Sequence, residues 1–247
     1  MTSFGQEGSG LDSCHIIGQA ESAWPNPTAR GPVIVAMTGA SGAPYGIGLI
    51  RALLAARQRV DLLLSEAALQ VIAHECQLTW RGDAYALQRT LLDHFSTDVD
   101  HLRYHGLTDW TSPVASGSGG ARRMVICPCS MGTLGALAHG LADNLIRRAA
   151  DVVLKEGGLL VLVPRETPLT VIHLENMVRM VRAGAVILPA SPGFYHRPAT
   201  VEALVGFIVE RILTRLGMPG SPLFQWPLPV SETRPDPHFS IVKEESK

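Results

Sequence analysis

A chain of 247 residues with 46% hydrophobic and 17% charged residues and a formal net charge of -1 has the make-up of one sizeable globular domain. That balance excludes a mainly disordered protein and a broad nucleic-acid-binding face, and no apolar run reaches the ~20 residues of a membrane span. Residues 1–30 lack a basic start followed by an apolar segment and read as a flexible tail. The cysteines, Cys14, Cys76, Cys127 and Cys129, form no disulfide framework or paired zinc motif, which suits a reducing cytoplasm. His101 and His105 have helical ligand spacing but sit in a polar stretch, so solvated histidines are expected there and no metal site.

Five short Val/Ile/Leu-rich runs follow in chain order: 32–37, 60–64, 123–128, 159–163 and 184–189. Nearly uninterrupted apolar runs of that length are what parallel strands covered on both faces require. Helical periodicity fills the intervals 43–57, 66–76, 84–95, 133–156, 171–182 and 199–216. The alternation predicts an α/β fold, a Rossmann-like doubly wound parallel sheet in a three-layer α/β/α single domain over 31–217. Residues 96–121, rich in Gly and Ser, read as a long functional loop. The Pro-rich stretch 218–247 reads as a tail that packs in part on a neighbouring subunit.

In an open parallel sheet ligands bind beyond the carboxyl ends of the strands. Every predicted exit carries small, hydroxyl or charged residues: "TGASG" at 38–42, Ser65-Glu66, "CSMGT" at 129–133, Arg165-Glu166, and "SPGFY" at 191–195. The first of these leads into a helix whose amides could hold a phosphate, although neither the G-x-G-x-x-G spacing nor a Gly-Lys-Ser/Thr is present. A tight turn that simply needs glycine explains that loop equally well. Ser130 and Thr133 flank Gly132 at the start of another helix, as a polar cradle or an ordinary N-cap would. Arg148, Asp151 and Lys155 share one helical face, suited either to clamping a phosphate or to a solvated salt-bridged surface.

Taken together, "MTGASGAPYG", "MVICPCSMGTLGALAHGLADNLIRRAADVVLKE", "LVLVPRETPLTVIHLENM" and "GAVILPASPGFYHRP" resemble the flavin prenyltransferases, the UbiX family, over roughly residues 31–227. The resemblance implies an enzyme that transfers a dimethylallyl group from dimethylallyl phosphate to N5 and then C6 of reduced FMN. The prenylated FMN so made serves a UbiD-type decarboxylase. It also implies a homododecamer with sites at subunit junctions. Position by position, it assigns Gly39, Ala40, Ser41, Ser65, Ser130, Met131, Gly132, Thr133 and Arg165 to FMN, and Ala115, Arg148, Lys155, Glu166, Tyr195, Arg211 and Trp226 to the prenyl donor. Ser41, Glu75, Lys155, Glu166 and Tyr195 take the catalytic roles on the same ground.

The residue types suit such a reaction. The chain has no Asp-Asp-x-x-Asp motif for magnesium, so Arg148, Lys155, Arg211 and the Tyr195 hydroxyl are expected to stabilise a departing phosphate without a metal. Glu166 would move protons while Arg165 holds the flavin, which accounts for two opposite charges side by side where a strand ends. Two rivals remain. An FMN-dependent cysteine-decarboxylase-type flavoprotein needs a histidine near the first helix, and "GASGAPYGIG" has none. A non-catalytic FMN carrier would leave Arg148, Lys155 and Glu166 without purpose.

Overall fold

The computed structural model describes residues 31–218. Residues 1–30 and 219–247, which take in the predicted tails but for Met218, and with them Trp226, lie outside the described residues. Six strands form one parallel sheet: β1 (Val33–Met37), β2 (Val60–Leu64), β3 (Leu102–Tyr104), β4 (Arg123–Cys129), β5 (Leu159–Pro164) and β6 (Val186–Ile187), in the order β3-β2-β1-β4-β5-β6. The helices are α1 (Ala43–Ala55), α2 (Glu66–Cys76), α3 (Ala84–Phe95), α4 (Met131–Ala138), α5 (Leu145–Lys155), α6 (Val171–Arg182) and α7 (Val201–Arg215). The doubly wound, three-layer architecture is the one the sequence predicts.

The pleat explains the layers. Along β1, Val33, Val35 and Met37 point into a core shared with α1, α2, α3 and α7, while Ile34 and Ala36 point into a second core with α4, α5 and α6. All five residues of β1 are buried, which is why the run carries no polar alternation.

Three features depart from expectation. The region 96–121 is not a plain loop: Leu102–Tyr104 pairs with β2 as an edge strand, and two 3-10 turns follow at Pro113–Ala115 and Gly117–Gly119. The predicted helix 133–156 is two helices, because Gly140 adopts a left-handed φ of 70° and Asn144 caps a new start by accepting from the Arg147 amide at 3.1 Å. In β4 the register shifts between Ile126 and Cys129, where Pro128 has no N–H to offer the ladder.

The order of strands fixes the place for a ligand. From β1 the chain runs outward through β2 and β3 on one side, then returns to β4 and continues outward on the other. The winding reverses between β1 and β4, and at such a point the two exit loops splay apart to leave a crevice.

Candidate active site

At this switch point the exits of β1, β2, β4 and β5 are bonded to one another. Thr38, 2% exposed, donates its hydroxyl to the Pro128 carbonyl at 3.0 Å and accepts from the Ser130 amide at 2.7 Å. The Ser65 amide donates to the Met37 carbonyl at 3.1 Å, and Arg165 Nε reaches the Ser41 carbonyl at 3.3 Å. Gly39, Ala40, Ser41, Ser65, Ser130, Met131, Gly132, Thr133 and Arg165 therefore share one rim. Thr38, the first residue of the exit "TGASG", holds that rim together, a role not assigned to it from the sequence. Its signal was a hydroxyl residue where a fully buried strand stops.

The local chemistry of the first loop differs from the expectation of open amides waiting for a phosphate. Glu75, at the end of α2, accepts from the Gly42 amide at 2.9 Å and the Ala43 amide at 2.8 Å, so a carboxylate already neutralises the positive end of α1. Partial burial works to raise the Glu75 carboxyl. Hydrogen bonds from the Ser41 hydroxyl and the two amides, with the Arg165 charge, outweigh it and hold the group below its ordinary value. Glycine is also required here for the fold: Gly42 has φ 111°, and a Cβ on Gly39 would lie 2.5 Å from the Ala67 methyl of α2.

The α4 start behaves otherwise. Ser130 Oγ accepts from the Thr133 amide at 3.2 Å and donates to its hydroxyl at 3.1 Å, an N-cap that leaves Thr133 able to donate outward. Gly132 is exposed and a Cβ placed on it would meet nothing within 4 Å. Open space beside helix N–H groups, the Thr133 hydroxyl and a guanidinium is a donor set that fits the phosphate and carbonyl groups of a flavin mononucleotide.

The residues expected to bind a prenyl donor are more dispersed. Arg148 Nε donates to the Ala115 carbonyl at 3.0 Å while its Nη1 pairs with Asp151 at 3.0 Å. Lys155 closes α5 and pairs with Glu156 at 2.7 Å, and Glu156 also pairs with Arg122 at 2.9 Å, immediately before β4 begins. That cluster marks the amino edge of the sheet. The six residues of β5 separate it from Arg165 by roughly 20 Å, at the ~3.3 Å rise of a parallel strand. Within one chain Lys155 thus lies on the side opposite the flavin rim. Glu166 is exposed and accepts from the Thr167 amide at 3.2 Å. Tyr195 packs edge-on against Phe207 at 5.7 Å, and Arg211 lines a small cavity beside β6 with Ser191 and Phe207.

His105 overturns the expectation of a solvated histidine. It is 5% exposed and bonds on both nitrogens, to Asp61 Oδ1 at 2.9 Å and to Ser112 Oγ at 2.8 Å. The missed signal was Asp61 inside the apolar run "VDLLL", since a carboxylate in a covered strand needs a partner. Cys127 and Cys129 are buried, and burial pushes Cys129 up to about 12, which keeps it a thiol.

Comparison with known proteins decides the family. The flavoprotein family model matches residues 22–213. The flavin prenyltransferase UbiX of Pseudomonas aeruginosa is 50% identical over 194 residues, covering 78% of this chain and 93% of that protein. This chain belongs to the flavin prenyltransferase family. A second member, the flavin prenyltransferase UbiX of Alkalihalophilus pseudofirmus, is 46% identical over 192 residues, 78% of this chain and 94% of its own length. Among solved structures, that of AnUbiX with FMN and dimethylallyl pyrophosphate superposes with a TM-score of 0.68 at 39% identity, covering 79% of this chain and 96% of that one. The dodecameric FMN-dependent UbiX-like decarboxylase of Escherichia coli O157:H7 superposes with a TM-score of 0.65 at 40% identity, covering 76% and 94%. Membership makes the chain a flavoprotein and a transferase. Among the described residues no helix is long and apolar enough to cross a membrane, and no cluster of three or more His, Cys, Asp or Glu is arranged to hold a metal.

Proposed function

We propose that the chain transfers the dimethylallyl group of dimethylallyl phosphate to reduced FMN. When bound, reduced FMN supplies nucleophilic N5 and C6, gains C5H8 as the allylic C–O bond breaks, and leaves the electron pair and one proton with phosphate. The observation that supports this reading is the rim at the β1/β4 switch point, where the Thr133 hydroxyl, oriented by Ser130, and the Arg165 guanidinium, held against the Ser41 carbonyl, stand beside the open space at Gly132.

The roles of the residues follow from their chemistry. Ser130, Thr133 and Arg165 hold the flavin. Arg148, Lys155, Arg211 and the Tyr195 hydroxyl offer charge and donors to the departing phosphate; one placed donor to a developing oxyanion is worth about 3 kcal/mol. Glu166 carries protons in this reading, next in the chain to Arg165, which itself reaches Ser41. A carrier reading leaves Arg148 and Lys155 with only their ion pairs to Asp151 and Glu156. Incubation with reduced FMN and dimethylallyl phosphate, followed by flavin mass spectrometry, tests the proposal: a gain of C5H8 supports it, and unmodified FMN refutes it.

Assembly completes the site in this reading. Lys155 is a strand length from the rim of its own chain, so a neighbouring copy supplies it. The helix α6 offers a surface for such packing, with Val171, Leu174, Val178 and Val181 between 48% and 69% exposed along one face. Twelve copies of a 26.5 kDa chain give about 318 kDa by light scattering. The product is taken up by a UbiD-type decarboxylase in the cytoplasm.

A further inference from the structure

The cluster of half-buried Asp61 with buried His105 and Ser112 has no part in the chemistry above, yet its bonds lead to it. Ser112, 4% exposed, begins the 3-10 turn Pro113–Ala115, and the Ala115 amide donates to the Ser112 carbonyl at 3.0 Å. The Ala115 carbonyl in turn accepts from Arg148 Nε at 3.0 Å. One step earlier in the same segment, the Leu107 carbonyl accepts from the Leu145 amide at 2.9 Å, at the first residue of α5. The segment is thus stapled to α5 at its start and one turn later, and His105 and Ser112 anchor it to the sheet.

We propose that Asp61, His105 and Ser112 are positioning residues that set the Ala115 carbonyl, and through it the Arg148 guanidinium, for the donor phosphate. The inference rests on the assignment of Arg148 to that phosphate. The bonding polarity is consistent along the chain. The Asp61 carboxylate only accepts, so His105 carries its proton on Nε2 and accepts at Nδ1 from the Ser112 hydroxyl. With its hydroxyl committed, Ser112 cannot rotate to compete for neighbouring backbone groups, and the turn that follows has one conformation. Arg148 needs that anchor because its other partner, Asp151, is 49% exposed on the same helix and holds Nη1 alone.

The test uses the full chain and four variants. Ser112→Ala is expected to raise KM for dimethylallyl phosphate about tenfold, the factor associated with one displaced charged contact. Calorimetry should show the same loss of affinity for dimethylallyl phosphate, and kcat should fall with it because Arg148 faces the departing phosphate, while FMN affinity stays at the wild-type level. Ser112→Thr, which keeps the hydroxyl, restores both readings. Asp61→Asn moves them in the same direction and serves where Ser112→Ala does not fold. Wild-type donor binding in Ser112→Ala or Asp61→Asn, beside an Arg148→Ala protein impaired in it, overturns the relay. An equal loss of FMN affinity also overturns it, by making the cluster a general support. If Arg148→Ala itself binds the donor normally, the assignment of Arg148 is what fails, and the relay loses its purpose with it.

Discussion

Replacing Thr38 by Val tests whether the flavin rim depends on one hydroxyl. The two side chains have nearly the same shape, so the change removes polarity and leaves the volume of a 2% exposed position filled. In the native protein the hydroxyl donates to the Pro128 carbonyl and accepts from the Ser130 amide. The carbonyl keeps a second donor, the Thr38 amide at 3.1 Å, so only the Ser130 N–H is stranded. An orphaned half-buried donor costs about 1–3 kcal/mol, and in a domain of this size each kcal/mol lowers Tm by roughly 2–4 °C. Thr38→Val should therefore melt about 4–8 °C below wild type by differential scanning fluorimetry, taking ~2 kcal/mol as the central cost. Because Ser130 also caps α4, FMN affinity measured by fluorescence should fall, whereas Thr38→Ser should retain it. A Thr38→Val protein with wild-type Tm and FMN affinity would refute the idea that this hydroxyl ties the two exits together.

Three further outcomes are expected. Gly132→Ala should leave Tm unchanged or slightly higher, since its added Cβ meets nothing within 4 Å and Ala favours helix by roughly 0.5–1 kcal/mol, while FMN affinity drops as that space is filled. Glu166→Gln should retain bound FMN, read from the yellow colour of the purified protein, and stall formation of the +C5H8 flavin; unchanged turnover contradicts the proton-carrying role. Glu75 has a folded value below its ordinary 4.5, so its contribution to stability is complete above that pH and is lost as pH falls through the lower folded value. Glu75→Gln, which keeps an accepting oxygen but no charge, should remove that acid-side loss in melting curves; the exposed position limits the effect to under ~1 kcal/mol.

Much of this architecture was legible because burial writes itself into composition. The strands β1, β2, β4 and β5 lie under helices on both faces, so their sequences are apolar but for Asp61 in β2 and Arg123 at the start of β4. The helices α2, α3 and α6 follow caps at Ser65, Asp83 and Thr170 and match their periodic segments end to end. The edge strand Leu102–Tyr104 escaped because three residues carry no readable period and only Leu102 is buried. The break between α4 and α5 was concealed by apolar residues on both sides of Gly140 and Asn144, which kept the helical pattern running through the turn.

Residue order alone located the strands other than β3 and most of the helices, though not the break between α4 and α5, and it showed the polar residues at the strand exits and the family that the motifs resemble. All of these depend on residue order and local periodicity. Only the tertiary structure decided that Glu75 occupies the amides of α1, that Asp61 and His105 find one another across 44 positions, and that Lys155 ends on the edge opposite Arg165. The reason is physical: hydrogen bonds and ion pairs between distant segments depend on strand order and helix direction, and those are set by how the two faces of the sheet are covered rather than by any local run of residues.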